Sequence, residues 1–111
     1  MEPVPAMKPV RKYLCDDGVF RYPDGREVCQ LTAKKGMDVY LQRKRVAWEA
    51  QGRKCAICHE PLRWADSTVD HIRPRGMGGG ARDDRQENIA AVHGLCNQER
   101  GSRRSGYYDV P

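Results

Sequence analysis

Cys55-Ala56-Ile57-Cys58, Thr68-Val69-Asp70-His71-Ile72 and His93-Gly94-Leu95-Cys96-Asn97 decide how this chain is read. Two pairs of metal-type donors, each with two residues between them, bracket an Asp-His dipeptide at the end of a β-prone run. That spacing lets one short turn present both donors of a pair to a tetrahedral ion. Taken together, Cys55, Cys58, His93 and Cys96 make a Cys3His set that fills all four positions, so the site is closed and structural; His59, next to Cys58, is an alternative fourth donor. A thioredoxin-like use of Cys55 and Cys58 needs a βαβ context and a reactive thiol opening a helix, and neither is evident. A zinc deaminase needs a His-x-Glu segment upstream and a proline before the cysteine pair, and both are missing.

Outward from these pairs, Val69-Asp70-His71-Ile72 is followed by a glycine-rich loop, by Asn88-Ile89 and by Asn97. With the cysteine pairs, this pattern resembles the His-Asn-His (HNH) endonuclease family in its His-Asn-Asn form, over roughly Cys55 to Arg100. The resemblance implies an α+β chain built on a small ββα-metal (His-Me finger) fold with zinc knuckles. It also implies His71 as general base, Asn88 bracing the loop that holds that base, and Asp70 with Asn97 on a catalytic divalent ion. DNA would be the substrate, with 5′-phosphate and 3′-hydroxyl ends as products. Free-standing proteins of this size and type resemble phage or bacterial endonucleases, some of which assist DNA packaging alongside terminase. Two positions depart from the commonest pattern. His93 stands where members often carry a fourth cysteine, and Asn97 replaces the last histidine of the signature. Two oxygen donors suit magnesium or manganese better than zinc or nickel.

The residues themselves support that chemistry. Phosphodiester hydrolysis needs a base for the attacking water and positive charge for the developing phosphorane and the leaving oxygen. An unperturbed imidazole titrates near ~6.5, which lets a histidine act as a neutral base at physiological pH. A lone histidine in a strand is more often structural, and the surrounding pattern reverses that reading for His71; an isolated asparagine such as Asn97 is more often a cap or turn residue, and capping the last helix does not exclude a metal role. Arg73, Arg75, Arg82, Arg100, Arg103 and Arg104 surround the site in sequence, and guanidinium forks of this kind grip phosphate oxygens. Since no helix carries a base-reading set, low sequence specificity is expected. The rival reading is a non-catalytic zinc-stabilised module that binds nucleic acid or protein. It needs the four zinc donors but not Asp70, His71, Asn88 and Asn97 together.

Composition sets the frame. The chain has 111 residues, of which 39% are hydrophobic and 32% charged, so its core is thin and a staple is expected. Five cysteines is an odd number, and Met1 to Pro9 has no apolar run. Metal ligation in a reducing, cytoplasmic compartment is therefore expected over a secreted disulfide framework. No stretch approaches the ~20 apolar residues of a membrane span. The net charge of +5 favours polyanionic partners, although many ordinary domains carry as much.

The remaining segments take supporting roles. Residues 1–11 read as a flexible arm whose Lys8 and Arg11, with Lys12 beyond them, either touch phosphate or are solvated. Tyr13 to Gln30 carries Asp17-Gly18 and Asp24-Gly25 between short β-prone runs, which predicts a small antiparallel meander. Cys15 and Cys29 are either buried free thiols or ligands of a further metal. Asp38 to Gln51, between Gly36 and Gly52, predicts an amphipathic helix packing Leu41 and Trp48 on the zinc region. Arg43, Lys44 and Arg45 in its middle are either solvated or a phosphate-facing edge. Leu62-Arg63-Trp64 and Thr68 to His71 read as two short strands, the segment from Pro74 to Gln86 as a cationic loop, and Leu95 to about Ser102 as a helix. The expected organisation is an arm (1–11), a meander plus support helix (12–53), a nuclease core (54–104) and a tail (105–111).

Overall fold

The computed structural model describes residues 12–73 and 82–103, without the side chains of residues 100–103. Three short strands, β1 (Tyr13–Leu14), β2 (Val19–Arg21) and β3 (Glu27–Cys29), form the antiparallel meander in the order β1-β2-β3. Both Asp-Gly turns work as expected: Asp17 Oδ1 accepts from Val19 N at 3.1 Å and Asp24 Oδ1 from Arg26 N at 3.1 Å. Their glycines lie at φ 86° and 98°, the left-handed region that costs glycine least.

Helix α1 (Lys34–Ala50) begins four residues earlier than the sequence implies, with Gly36 inside its first turn. The glycine is there for proximity rather than termination. A Cβ on Gly36 would collide with the Gln30 backbone, and a Cβ on Gly18 would lie 2.5 Å from Gly36 N. At the other end Gly52, at φ 73°, closes the helix: Gly52 N donates to Glu49 O at 3.0 Å and Arg53 N to Trp48 O at 2.8 Å, a Schellman motif. The buried face also differs from expectation. Leu41 is exposed, while Ala47 and Trp48 are buried and Arg43 and Lys44 face inward. Arg43 pairs with Glu27 at 2.8 Å, and Lys44 Nζ donates to Ser67 O at 3.0 Å and lies 4.2 Å from the Trp64 ring centroid. These two cations hold α1 to its neighbours instead of forming an open edge.

The second sheet is a hairpin of β4 (Ser67–His71) and β5 (Ile89–His93), paired from Ser67↔His93 to His71↔Ile89. Leu62 to Trp64 is not the partner strand. Leu62 N donates to Arg53 O at 2.9 Å, and Leu62 O accepts from the Trp48 indole at 2.7 Å. Neither group is left for a ladder, and the chain turns through a 3-10 segment, Trp64–Asp66. Helix α2 (Gly94–Arg103) follows β5 directly and packs on both strands. The small core comprises Trp48, Cys55, Leu62, Ala91 and Val92, joined by Trp64 and Cys96. Strand, strand, helix beside a Cys/His cluster is the ββα-metal arrangement, with the strands supplied by β4 and β5. Among the described residues, no helix is long and apolar enough to cross a membrane.

Candidate active site

The β4–β5 hairpin carries a site at each end. At the Ser67/His93 end, the donor atoms of Cys55, Cys58, His93 and Cys96 all lie within 4.8 Å of one another. Sγ of Cys58 is 3.4 Å and Sγ of Cys96 3.9 Å from His93 Nδ1. A tetrahedral zinc with bonds of ~2.3 Å to sulfur and ~2.0 Å to nitrogen needs donor separations near 3.5–3.8 Å, so the set fits such an ion. His93 Nε2 lies 3.2 Å from Pro61 O. A proton donated there leaves the Nδ1 lone pair for the metal. His59, exposed and at φ 66°, is outside the cluster, so the fourth donor is His93.

Local backbone geometry prepares these sulfurs. Buried Cys55 Sγ accepts from Ile57 N at 3.3 Å, Cys58 N at 3.5 Å and His93 N at 3.4 Å. Burial opposes ionisation of this thiol, yet the N–H groups of Cys58, His93 and Ile57 bring it down to about 6. Cys96 is pushed up to about 12, by burial first and then by the neighbouring Cys58 and Cys55 sulfurs. Metal binding at such a cluster is coupled to loss of the thiol protons. Cys15 and Cys29 join no metal-type cluster among the described residues. Burial, with Asp84 nearby, raises the Cys29 thiol to about 11, the behaviour of an inert core thiol.

At the opposite end of the hairpin, Asp70 is buried and His71 closes β4. Asn88, 1% exposed, clasps the chain leaving His71. Its Oδ1 accepts from Arg73 N at 2.7 Å, its Nδ2 donates to Arg73 O at 3.2 Å and Asp83 O at 2.8 Å, and its carbonyl accepts from Ile72 N at 2.9 Å. Asn97 is half-buried on α2, directly after Cys96 and on a helix that packs against β4.

The reading of the sequence passed over Asp84. This carboxylate is fully buried and lies 2.7 Å from His71 Nε2 through Oδ1, while Oδ2 accepts from Cys29 N at 2.8 Å. Arg82 Nε donates to both of its oxygens at 2.9 Å, and an Arg82 terminal nitrogen also donates to Cys29 O at 2.8 Å. Burial opposes ionisation of Asp84, but the bonds from His71 and Cys29 and the charge of Arg82 outweigh it and hold the carboxyl below its ordinary range. In sequence the only signal was an acidic pair, Asp83-Asp84, set between two arginines.

The arginines divide accordingly. Arg73 is exposed beside the site. Arg82 is engaged by Asp84, and Arg85 by Asp83 at 2.7 Å, so neither presents a free fork. Arg75 and Arg104, and the side chains of Arg100 and Arg103, lie outside the described residues.

Residues 55–103 match the family model described as HNH endonuclease. A stretch of 54 residues is 41% identical to the CRISPR-associated endonuclease Cas9 of Corynebacterium diphtheriae, covering 49% of this chain and 5% of that protein. The chain therefore corresponds to a small part of that relative's length. No solved structure matches the chain significantly.

Proposed function

We propose that the chain hydrolyses phosphodiester bonds in DNA with His71 as general base, a reading supported by the match of residues 55–103 to the HNH endonuclease family model and by their likeness to part of a Cas9 endonuclease. The observation that carries this reading is that Asp70 and His71 end the same strand against which α2, bearing Asn97, is packed. In the reaction, a water oxygen bonds to phosphorus, its proton passes to His71, the P–O3′ bond breaks, and the 3′-oxygen leaves as a hydroxyl after taking a proton from solvent. Asn88 holds the base in place by clasping Ile72 and Arg73. A divalent ion held by the oxygen donors Asp70 and Asn97 supplies, when bound, positive charge for the phosphorane and leaving oxygens. A buried carboxylate and a half-buried amide suit magnesium or manganese. Zinc at Cys55, Cys58, His93 and Cys96 is structural in this reading. Residues 54–104 act as the core and residues 12–53 as its support.

In this reading Arg73, exposed beside the site, meets the phosphate backbone together with Arg75, Arg100 and Arg103, while Arg82 acts inside the protein. Cleavage in this reading has low sequence specificity, since neither helix among the described residues carries a recognisable base-reading set. One site cuts one strand, so nicks precede double-strand breaks.

Conversion of supercoiled plasmid to open circles tests the proposal. Magnesium or manganese should support nicking, and His71→Ala should slow it by roughly 10² or more with fold, zinc and DNA binding retained. Wild-type rates in that variant would return the chain to the rival reading of a zinc-stabilised binding module.

A further inference from the structure

We propose that Asp84 is the positioning residue of the general base: it fixes the His71 imidazole through Nε2, leaving Nδ1 as the nitrogen that receives the proton of the attacking water. This inference rests on the reading of His71 as base and adds to it a residue from outside the recognised motif.

The argument is geometric. An imidazole that acts as a base needs one nitrogen free and the other held, because a freely rotating ring spends little time aligned with its water. Asp84 Oδ1 lies 2.7 Å from Nε2. The remaining hydrogen bonds of that carboxylate all come from donors, Cys29 N and Arg82 Nε. It therefore acts purely as an acceptor, and Nε2 must carry the proton of the shared bond. Nδ1 then holds the lone pair, and no other described residue hydrogen-bonds to it.

The carboxylate is itself immobilised. It is fully buried, its backbone N–H donates to Glu27 O at 2.6 Å, and its carbonyl accepts from Arg43 at 2.7 Å. Cys29 and Glu27 belong to β3 and Arg43 to α1, so elements outside residues 55–103 set the ring's orientation. A buried carboxylate serving only as a β3 anchor would satisfy Cys29 and Arg82 without reaching the one histidine at the reacting end of β4. The arrangement follows the logic of carboxylate–histidine dyads, in which the acid selects tautomer and orientation without entering the bond changes.

Two measurements test it on the full zinc-loaded chain. In steady-state cleavage, Asp84→Asn turns an amide N–H₂ toward one of the donors and should lower kcat on the order of 10²-fold or more, with KM for DNA within about threefold. The same substitution in a His71→Ala background should cost nothing further, since its effect runs through that ring. A wild-type kcat in Asp84→Asn, while His71→Ala is inactive, would overturn the positioning role and leave the base assignment standing. An equal loss in both backgrounds would also overturn it, as the mark of a purely structural anchor. Full activity in His71→Ala would remove the base assignment and this inference together. If Asp84→Asn does not fold, the tautomer of the wild type decides: long-range ¹H–¹⁵N correlation should show His71 protonated at Nε2 and bare at Nδ1, and the opposite tautomer would overturn the proposal.

Discussion

The two ends of the β4–β5 hairpin are about 14 Å apart, at ~3.4 Å per residue, and they are held by different kinds of bond. At the Ser67/His93 end, four side chains converge on one point as a donor set that can hold an ion. At the His71/Ile89 end, convergence is achieved by hydrogen bonds among separate segments: Arg73 N donates to Asn88, His71 Nε2 pairs with the Asp84 carboxylate, and Cys29 N donates to Asp84. The first kind of site can be recognised from spacing alone, because the ion dictates which residue types stand together. The second cannot, because any carboxylate brought near by the fold can hold an imidazole. A thin core is thus accompanied by a cluster of metal-type donors at one end and by a buried polar network at the other.

The strongest way to break this comparison is to remove the ion. Cys55→Ser or Cys96→Ser should unfold the hairpin and α2, since structural zinc contributes on the order of ~10 kcal/mol in small metal domains, as much as a whole domain's stability. A sharp thermal transition with native near-UV circular dichroism and no bound zinc would show that the cluster is dispensable. Next in size is Trp48→Ala. It removes the ring packed among Cys55, Leu62 and Val92, along with the indole bond to Leu62 O, and should cost about 3–5 kcal/mol in urea unfolding. Zinc affinity should fall in step if core and cluster are one unit; unchanged affinity would separate them.

At the other end the expected effects are on rate. Asn97→Ala should weaken the dependence of cleavage on magnesium while sparing zinc content. Asn97→His, by placing imidazole among oxygen donors, should raise cleavage with nickel or cobalt relative to magnesium. An unchanged rank order of metals at wild-type rates would leave Asn97 as a residue of α2 only, with an effect of about 0.7 kcal/mol or less on stability.

The smallest effect is one of order on acidification. Metal binding at the Cys/His end requires thiolates and a neutral imidazole, so zinc should leave as pH falls through mildly acidic values. The Asp84 carboxyl is held below its ordinary value near ~3.9. Its contribution is complete above that value and is lost only as pH falls through the lower folded-state one. Zinc release, followed with a chelating dye, should precede loss of the His71–Asp84 bond, followed by side-chain NMR; the reverse order would contradict this assignment of bond types.

What could be read in the sequence follows the same division. The zinc donors, the Asp-Gly meander and the glycine closing α1 each rest on local chemistry, and each stands where the spacing puts it. The partner of β4 was misread, because Leu62 to Trp64 looks β-prone until Trp48 and Arg53 take its backbone groups. Ile89-Ala90-Ala91-Val92 is a short apolar run that periodicity alone does not assign to strand or helix. The phase of α1 was set by charges: Arg43 and Lys44 turn inward because Glu27, the Asp84 carbonyl and the Ser67 carbonyl receive them, and Leu41 is left exposed. Asp84 lay in what looked like a cationic connection, and its importance comes from partners 13 and 55 positions away.

The clasp of Asn88 on Ile72 and Arg73 bears on how this hairpin can be elaborated. With Arg73 on one flank and Asp83 on the other both hydrogen-bonded to Asn88 at that neck, the chain between Arg73 and Asp83 is by connectivity a closed ring. Lengthening such a ring adds only about 0.6 kcal/mol for each doubling of its residues. The register of β4 against β5 is therefore insulated from whatever is spliced into the ring. An insertion placed between Arg73 and Asp83 should leave His71 and Asp84 in register, which the His71–Asp84 side-chain NMR signals of such a variant would check.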